Sequence, residues 1–93
     1  TIARADHAVC LAHCGQLESA ERTGRLAEID LSGEFDDYSR AVVHDSLAEL
    51  AGLLCREAEA RAHRQTAAEA WALDVAYCSG LRAALTAHGP LTT

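Results

Sequence analysis

The stretch from Glu34 to Arg64 most constrains what this chain can fold into. Val43, Leu47, Leu50, Leu54 and Ala58 recur there at spacings of four and three. On a helix those spacings form a single apolar stripe. Asp45, Glu49, Arg56, Glu59 and Arg64 fall on the opposite side. The flanking segments read as shorter helices that could cover the stripe.

Thr1 to Thr23 reads as a first helix, with Ile2, Ala5, Val9, Ala12 and Ala20 able to share a face. Gly24 stands where a left-handed C-terminal cap belongs. Arg25 to Gly33 is expected to be the main connection. Leu26, Ile29 and Leu31 make it too apolar for a free loop, so it should pack across the bundle. Asp30 or Ser32 can cap the central helix, and Glu34, Asp36 and Asp37 complement its N-terminal dipole.

The end of the central helix is marked less sharply. No Gly or Pro interrupts the chain between Gly52 and Gly80. Thr66-Ala67-Ala68-Glu69 matches a capping box, so a tight turn at His63 to Thr66 is expected before a third helix from Ala67 to His88. The alternative is one continuous helix through both segments, but the polar zone from Arg56 to Gln65 has no heptad seam to support it. The third helix carries Trp71, Val75, Cys78 and Leu85 on one stripe, with Leu73, Tyr77 and Leu81 nearby. Gly89-Pro90 ends it, and Leu91 to Thr93 should fray. Gly15, Gly52 and Gly80 lie inside the three expected helices. An interior glycine costs roughly 1 kcal/mol against alanine, which close backbone approach at a helix crossing would offset. The expected fold is all-α: one domain, an antiparallel three-helix bundle with helices at about 2–23, 34–64 and 67–88.

Composition sets how well such a bundle can hold together. Of 93 residues, twenty are alanine, and Leu, Ile, Val and Phe together make only nineteen. Alanine is the best helix former and permits close helix approach, but a methyl buries little area. A thin core suggests completion by dimerisation into a bundle of four or more helices, or by docking on a protein partner. Trp71, Leu47 and Leu54 are the candidate interface residues on that reading. A net charge of −6 argues against nucleic acid and against an anionic membrane surface. No apolar run approaches the ~20 residues that span a bilayer. The chain begins at Thr1 without an initiator methionine, which reads as a processed or trimmed form. The four cysteines form no obvious disulfide framework, so a reducing, cytoplasmic setting is the default expectation.

Three constellations carry possible chemistry. Cys10 and Cys14 are four apart, on one helix face, and His7 can join them while His13 lies to one side. Thiolate and imidazole suit Zn²⁺ or Cu(I). This pair resembles the CxxxC device of small helical copper-storage bundles. The resemblance covers five residues, and Cys55 and Cys78 are the only further cysteines. It implies a soft-metal site, whereas the plainer reading of the residues alone is cysteine as a small core side chain among alanines.

The second constellation is His44-Asp45-Ser46-Leu47. It resembles the H-box of a histidine-kinase dimerisation subfamily, in which the His takes a phosphoryl group and the neighbouring acid assists. Ala41, Val42 and Val43 stand where that family has basic and acidic residues, and 93 residues hold no ATP-binding domain. The resemblance implies at most a degenerate phospho-acceptor hairpin with His44 as acceptor. The plainer reading is a half-exposed helix histidine beside an acid. The third, Asp45-Ser46-Leu47, resembles the attachment site of acyl carrier proteins. Here, however, the serine falls inside the strongest helix instead of beginning one.

Glu59 and His63 read as a surface pair, and no nucleophile elbow or phosphate loop is present. The functional expectation is a non-enzymatic helical interaction or regulatory module, without a cofactor. A Cu(I)- or Zn-binding bundle is the alternative, and a phospho-acceptor hairpin the third reading.

Overall fold

The structure is a computed structural model in which residues 1–33 and 36–87 are described. Those residues form four helices and no strand: α1 Ile2–His13, α2 Leu17–Asp30, α3 Asp37–Leu53 and α4 Glu57–Ala87. The all-α expectation holds, but three of its boundaries move. Glu34, Phe35 and the stretch from His88 through Gly89-Pro90 to Thr93 lie outside the described residues.

The expected first helix is two helices. Gln16 N–H donates to Leu11 O at 2.9 Å and Gly15 N–H to Ala12 O at 3.0 Å, with Gly15 at φ +81°. This is a Schellman turn, which needs a residue in the left-handed region. Gly15 is therefore the cap, not a crossing point inside a helix. Gly24, read from sequence as the cap, lies in the middle of α2 and is buried. A Cβ on it would come within 2.5 Å of Leu50 Cδ2 and 3.7 Å of Leu47 Cδ2. It is the glycine that permits close helix approach, while Gly52 and Gly80 have open space around them. The segment from Arg25 to Asp30, read as a connection, continues α2, so the loop is confined to the residues between Asp30 and Asp37.

The cap of α3 is Asp36, whose carboxylate accepts from Ser39 N–H at 2.7 Å, so neither Asp30 nor Ser32 fills that role. That hydrogen bond holds the Asp36 carboxyl below its usual range. The helix ends at Leu53, not near Arg64. Arg56 N–H donates to Ala51 O at 2.8 Å and Cys55 N–H to Gly52 O at 3.1 Å, a second Schellman turn with Cys55 at φ +59°. The capping box at Thr66 is not used. Thr66 Oγ1 donates back to Ala62 O at 3.1 Å, and Glu69 accepts from Gln65 Nε2 at 3.1 Å. Both side chains are satisfied within an unbroken helix. The reason is burial: Ala60, Ala67 and Ala70 all pack against α3, so α4 must begin before Ala60 and pass straight through the expected turn.

The body is two helical hairpins, α1–α2 and α3–α4, joined where α1 lies along α3. Its core is Ala5, Ala8 and Ala12 of α1, Ala20 and Ala27 of α2, and Val43, Leu47 and Leu50 of α3. Val43 is the largest side chain that is fully buried. Leu31 and Leu54 pack on the rim, but Leu26 and Ile29 face solvent, so the packing expected of 25–33 comes from Ala27 and Leu31. Leu47, read as an interface residue, is 4% exposed and belongs to the chain's own core.

The molecule is long. It measures 57 × 23 × 22 Å, with a radius of gyration of 16.7 Å. A compact chain of this length has about 12 Å. The excess comes from α4, whose 31 residues span about 46 Å at 1.5 Å per residue. Among the described residues, no helix is long and apolar enough to cross a membrane.

Candidate functional site

A groove runs between α2 and α4, floored by α3. Leu47, Leu50 and Leu54 form its floor, Glu21, Arg25 and Glu28 one wall, and Arg56, Glu59 and His63 the other. It encloses about 230 Å³. The two walls meet only through long side chains, because α2 and α4 share no close backbone contact.

At one end Glu21 bridges the walls, accepting from Arg25 at 2.8 Å and from Arg56 at 3.0 Å. The Arg25 hydrogen bond, then Arg56, holds the Glu21 carboxyl below its usual range. At the other end His44 and His63 meet, Nδ1 to Nδ1, at 3.0 Å. His63 Nε2 is 3.2 Å from Glu28. One protonation pattern satisfies all three groups: His63 Nε2–H donates to Glu28, and His63 Nδ1 accepts from His44 Nδ1–H. Two imidazolium rings here would set N–H against N–H. Burial, and then the facing His63 and Arg40, push the His44 pKa down, with Glu28 and Asp45 opposing.

This arrangement corrects one sequence reading. His63 faces Glu28, while Glu59 lies 3.9 Å from Arg56. The Asp45 carboxylate accepts from Trp71 Nε1 at 2.8 Å. Trp71 also meets Tyr38 edge-on, with ring centroids 5.5 Å apart. His44 is half-buried, and its Nδ1 is taken up by His63. The sequence holds no signal for the histidine pair, since 19 residues separate them and the turn at Cys55 sets their register.

His7, Cys10 and Cys14 lie together on the outward side of α1, opposite the buried Ala5, Ala8 and Ala12. Cys10 and Cys14 are exposed, so the reading of them as small core residues does not hold. Among the described residues, no group of three or more His, Cys, Asp and Glu side chains is placed to share a metal ion. Leu54 is half-buried on the groove floor and Trp71 half-buried at the α3–α4 junction.

Beyond Trp71, α4 leaves the body. None of its residues after Ala70 is buried. Leu73, Val75, Tyr77, Leu81 and Leu85 are 49 to 68% exposed. Sixteen residues, 72–87, thus project over about 24 Å as an uncovered helix. Comparison with known protein families, curated proteins and solved structures finds no match for this chain.

Proposed function

We propose that this chain is a non-enzymatic helical interaction module whose docking surface is the projecting half of α4. One observation carries the reading: five large apolar side chains on a single projecting helix are left in water. Fully burying one such side chain is worth roughly 1.5–3 kcal/mol, so covering several supplies real binding energy. Contiguous apolar patches of this kind mark sites of protein association. The groove, by contrast, is rimmed by charges that already satisfy one another across it.

A photo-crosslinking residue at position 77 or 81, and at position 7 on the outward side of α1 as control, tests the reading in cells that make the protein. Protein adducts should form at 77 and 81 and stay at background at 7. Equal yields at all three positions, or none anywhere, would overturn it.

A further inference from the structure

Resting on that reading, we infer that the occupant of the projecting face is a second copy of this chain, laid antiparallel across it with a twofold axis at Cys78. A twofold interface must be self-complementary: each residue meets a fixed counterpart in the other copy. In an antiparallel helix pair, the counterparts are residues equally far before and after the axis. The stripe on α4 has this symmetry. Trp71 and Leu85 stand seven residues either side of Cys78, and Val75 and Leu81 stand three either side. Spacings of three, four and seven keep all five on one helix face.

The charges obey the same symmetry. Asp74 and Arg82 are the charged residues of 72–87, and each is four residues from Cys78. The twofold axis therefore sets Asp74 of each copy against Arg82 of the other, giving two ion pairs. Among the described residues neither side chain has an ion-pair partner within the chain. An axis two residues later, at Gly80, would set Asp74 against Thr86 and Arg82 against Cys78, losing both pairs. The stripe also continues the bundle-facing line of α4 through Ala60, Ala67 and Ala70, past the point where α3 begins. The second copy's helix would run in the same direction as α3 and reach the level of its first turn, where Tyr38 meets Trp71.

The overlap from Trp71 to Leu85 is 15 residues, about 22 Å long. A contact of that length falls below the ~1,200 Å² of standard interfaces, so the dimer is weak and reversible. A dissociation constant on the order of 10 µM is expected. Cys78 and its counterpart face each other across the axis, while Cys10, Cys14 and Cys55 lie away from it on the body.

Sedimentation of the purified, reduced chain from 1 to 500 µM, with charge variants, tests the proposal. Wild type should pass reversibly from monomer to dimer. Asp74→Arg and Arg82→Asp should each weaken the homodimer at least tenfold, because each sets two like-charge pairs across the axis. Mixing the two variants should restore association as a heterodimer, since every cross-pair then has opposite signs. This rescue also shows that both variants are folded. A covalent readout locates the axis in a background with Cys10, Cys14 and Cys55 changed to serine. The azo oxidant diamide takes two electrons and two protons from a pair of Cys78 thiols, forming one Sγ–Sγ bond and a hydrazine. Crosslinking should be at least tenfold faster than for Leu85→Cys with Cys78→Ser, whose thiols would sit about 21 Å apart. A chain still monomeric at 500 µM, a dimer indifferent to both charge variants, or equal crosslinking rates would overturn the twofold pairing. A monomeric chain whose position-81 adducts join a different protein would remove self-association and leave the docking reading standing.

Discussion

The two halves of α4 differ in sequence and in fate, and the pairing runs against simple hydropathy. Residues 57–71 are rich in charge, with Glu57, Glu59, Arg61, His63, Arg64 and Glu69, yet this half packs against α3. Residues 72–87 carry Leu73, Val75, Tyr77, Leu81 and Leu85, yet this half stands in water. The charged half can pack because its inward positions are alanines, and a methyl lets α3 approach closely while the charged side chains lean out. Among the described residues, the apolar half has no helix of its own chain opposite it. Large side chains have been placed where the body cannot use them, and small ones where it can. On the proposed docking reading, the apolar content of α4 serves contacts outside the folded body, while the stability of the body rests on α3.

The largest test of this division is a truncation in the core. Leu47→Ala removes a side chain that is 4% exposed. Comparable buried leucines cost about 2–5 kcal/mol when cut to alanine. With so few large buried side chains, that loss should unfold a considerable share of the population. Leu81→Ala should change monomer stability by no more than about 0.5 kcal/mol, because the side chain is half in water. Urea denaturation well below the dimer dissociation constant checks both. Comparable losses from the two variants would break the division. Adding bulk sharpens it. Ala67 is 1% exposed against α3, and Ala67→Leu should cost about 1–3 kcal/mol through overpacking. Ala83→Leu, on the exposed half, should be close to neutral.

These side chains also show how far the fold could be read from sequence. The stripe from Val43 to Leu54 is large and regular, and buried as far as Leu50, so its periodicity shows the helical class and the core face directly. Ala58, its last member, is exposed in α4, because the turn at Leu54 to Arg56 breaks the stripe before it. That turn carries no glycine or proline, which is why sequence places the break later, at His63 to Thr66 beside the capping box. Gly15 and Gly24 exchange roles for a related reason: sequence puts Gly15 inside the first helix and Gly24 at its end, and only the contact with Leu50 distinguishes packing from capping. The Trp71 stripe was legible, but its exposure was not, because periodicity shows which residues share a face and not what lies opposite. The histidine pair was invisible for the same reason.

Acidification separates the halves by chemistry. The His44 pKa is lowered, chiefly by burial and then by His63, so the folded body binds a proton there less readily than the unfolded chain does. A histidine pKa near 6.5 in the unfolded chain means the stabilisation is complete above that pH. It is lost as pH falls from there toward the lowered folded value. The body's urea midpoint should therefore drop between pH 7 and pH 5.5, and His44→Gln should flatten that dependence. The projecting half holds Asp74 and Arg82 but no histidine, so the dimer dissociation constant should stay level over the same range. A parallel loss of dimer and body stability would join what the structure separates.

The smallest effect lies at the junction between α3 and α4. The turns after α1 and α3 have the same hydrogen-bond pattern, but one places glycine and the other cysteine in the left-handed position. A side chain there crowds the following carbonyl, at a cost of roughly 1–2 kcal/mol, which glycine avoids. Glycine also loses more backbone entropy on folding, which takes back part of the gain. Cys55→Gly should therefore stabilise the body by about 0.5–1 kcal/mol. Gly15→Ala at the matching position should destabilise it by about 1 kcal/mol, since open space around Gly15 does nothing to relieve its φ of +81°. Thermal unfolding of the two variants, measured as monomers, gives opposite signs if the turns are equivalent. The dimer dissociation constant of Cys55→Gly should match wild type, because the turn at Cys55 is remote from the axis at Cys78. If Cys55→Gly instead weakened both the body and the dimer, the thiol at Cys55 would be making a contact that the turn geometry does not require, and the stability of α3 could no longer be treated apart from the projecting half of α4.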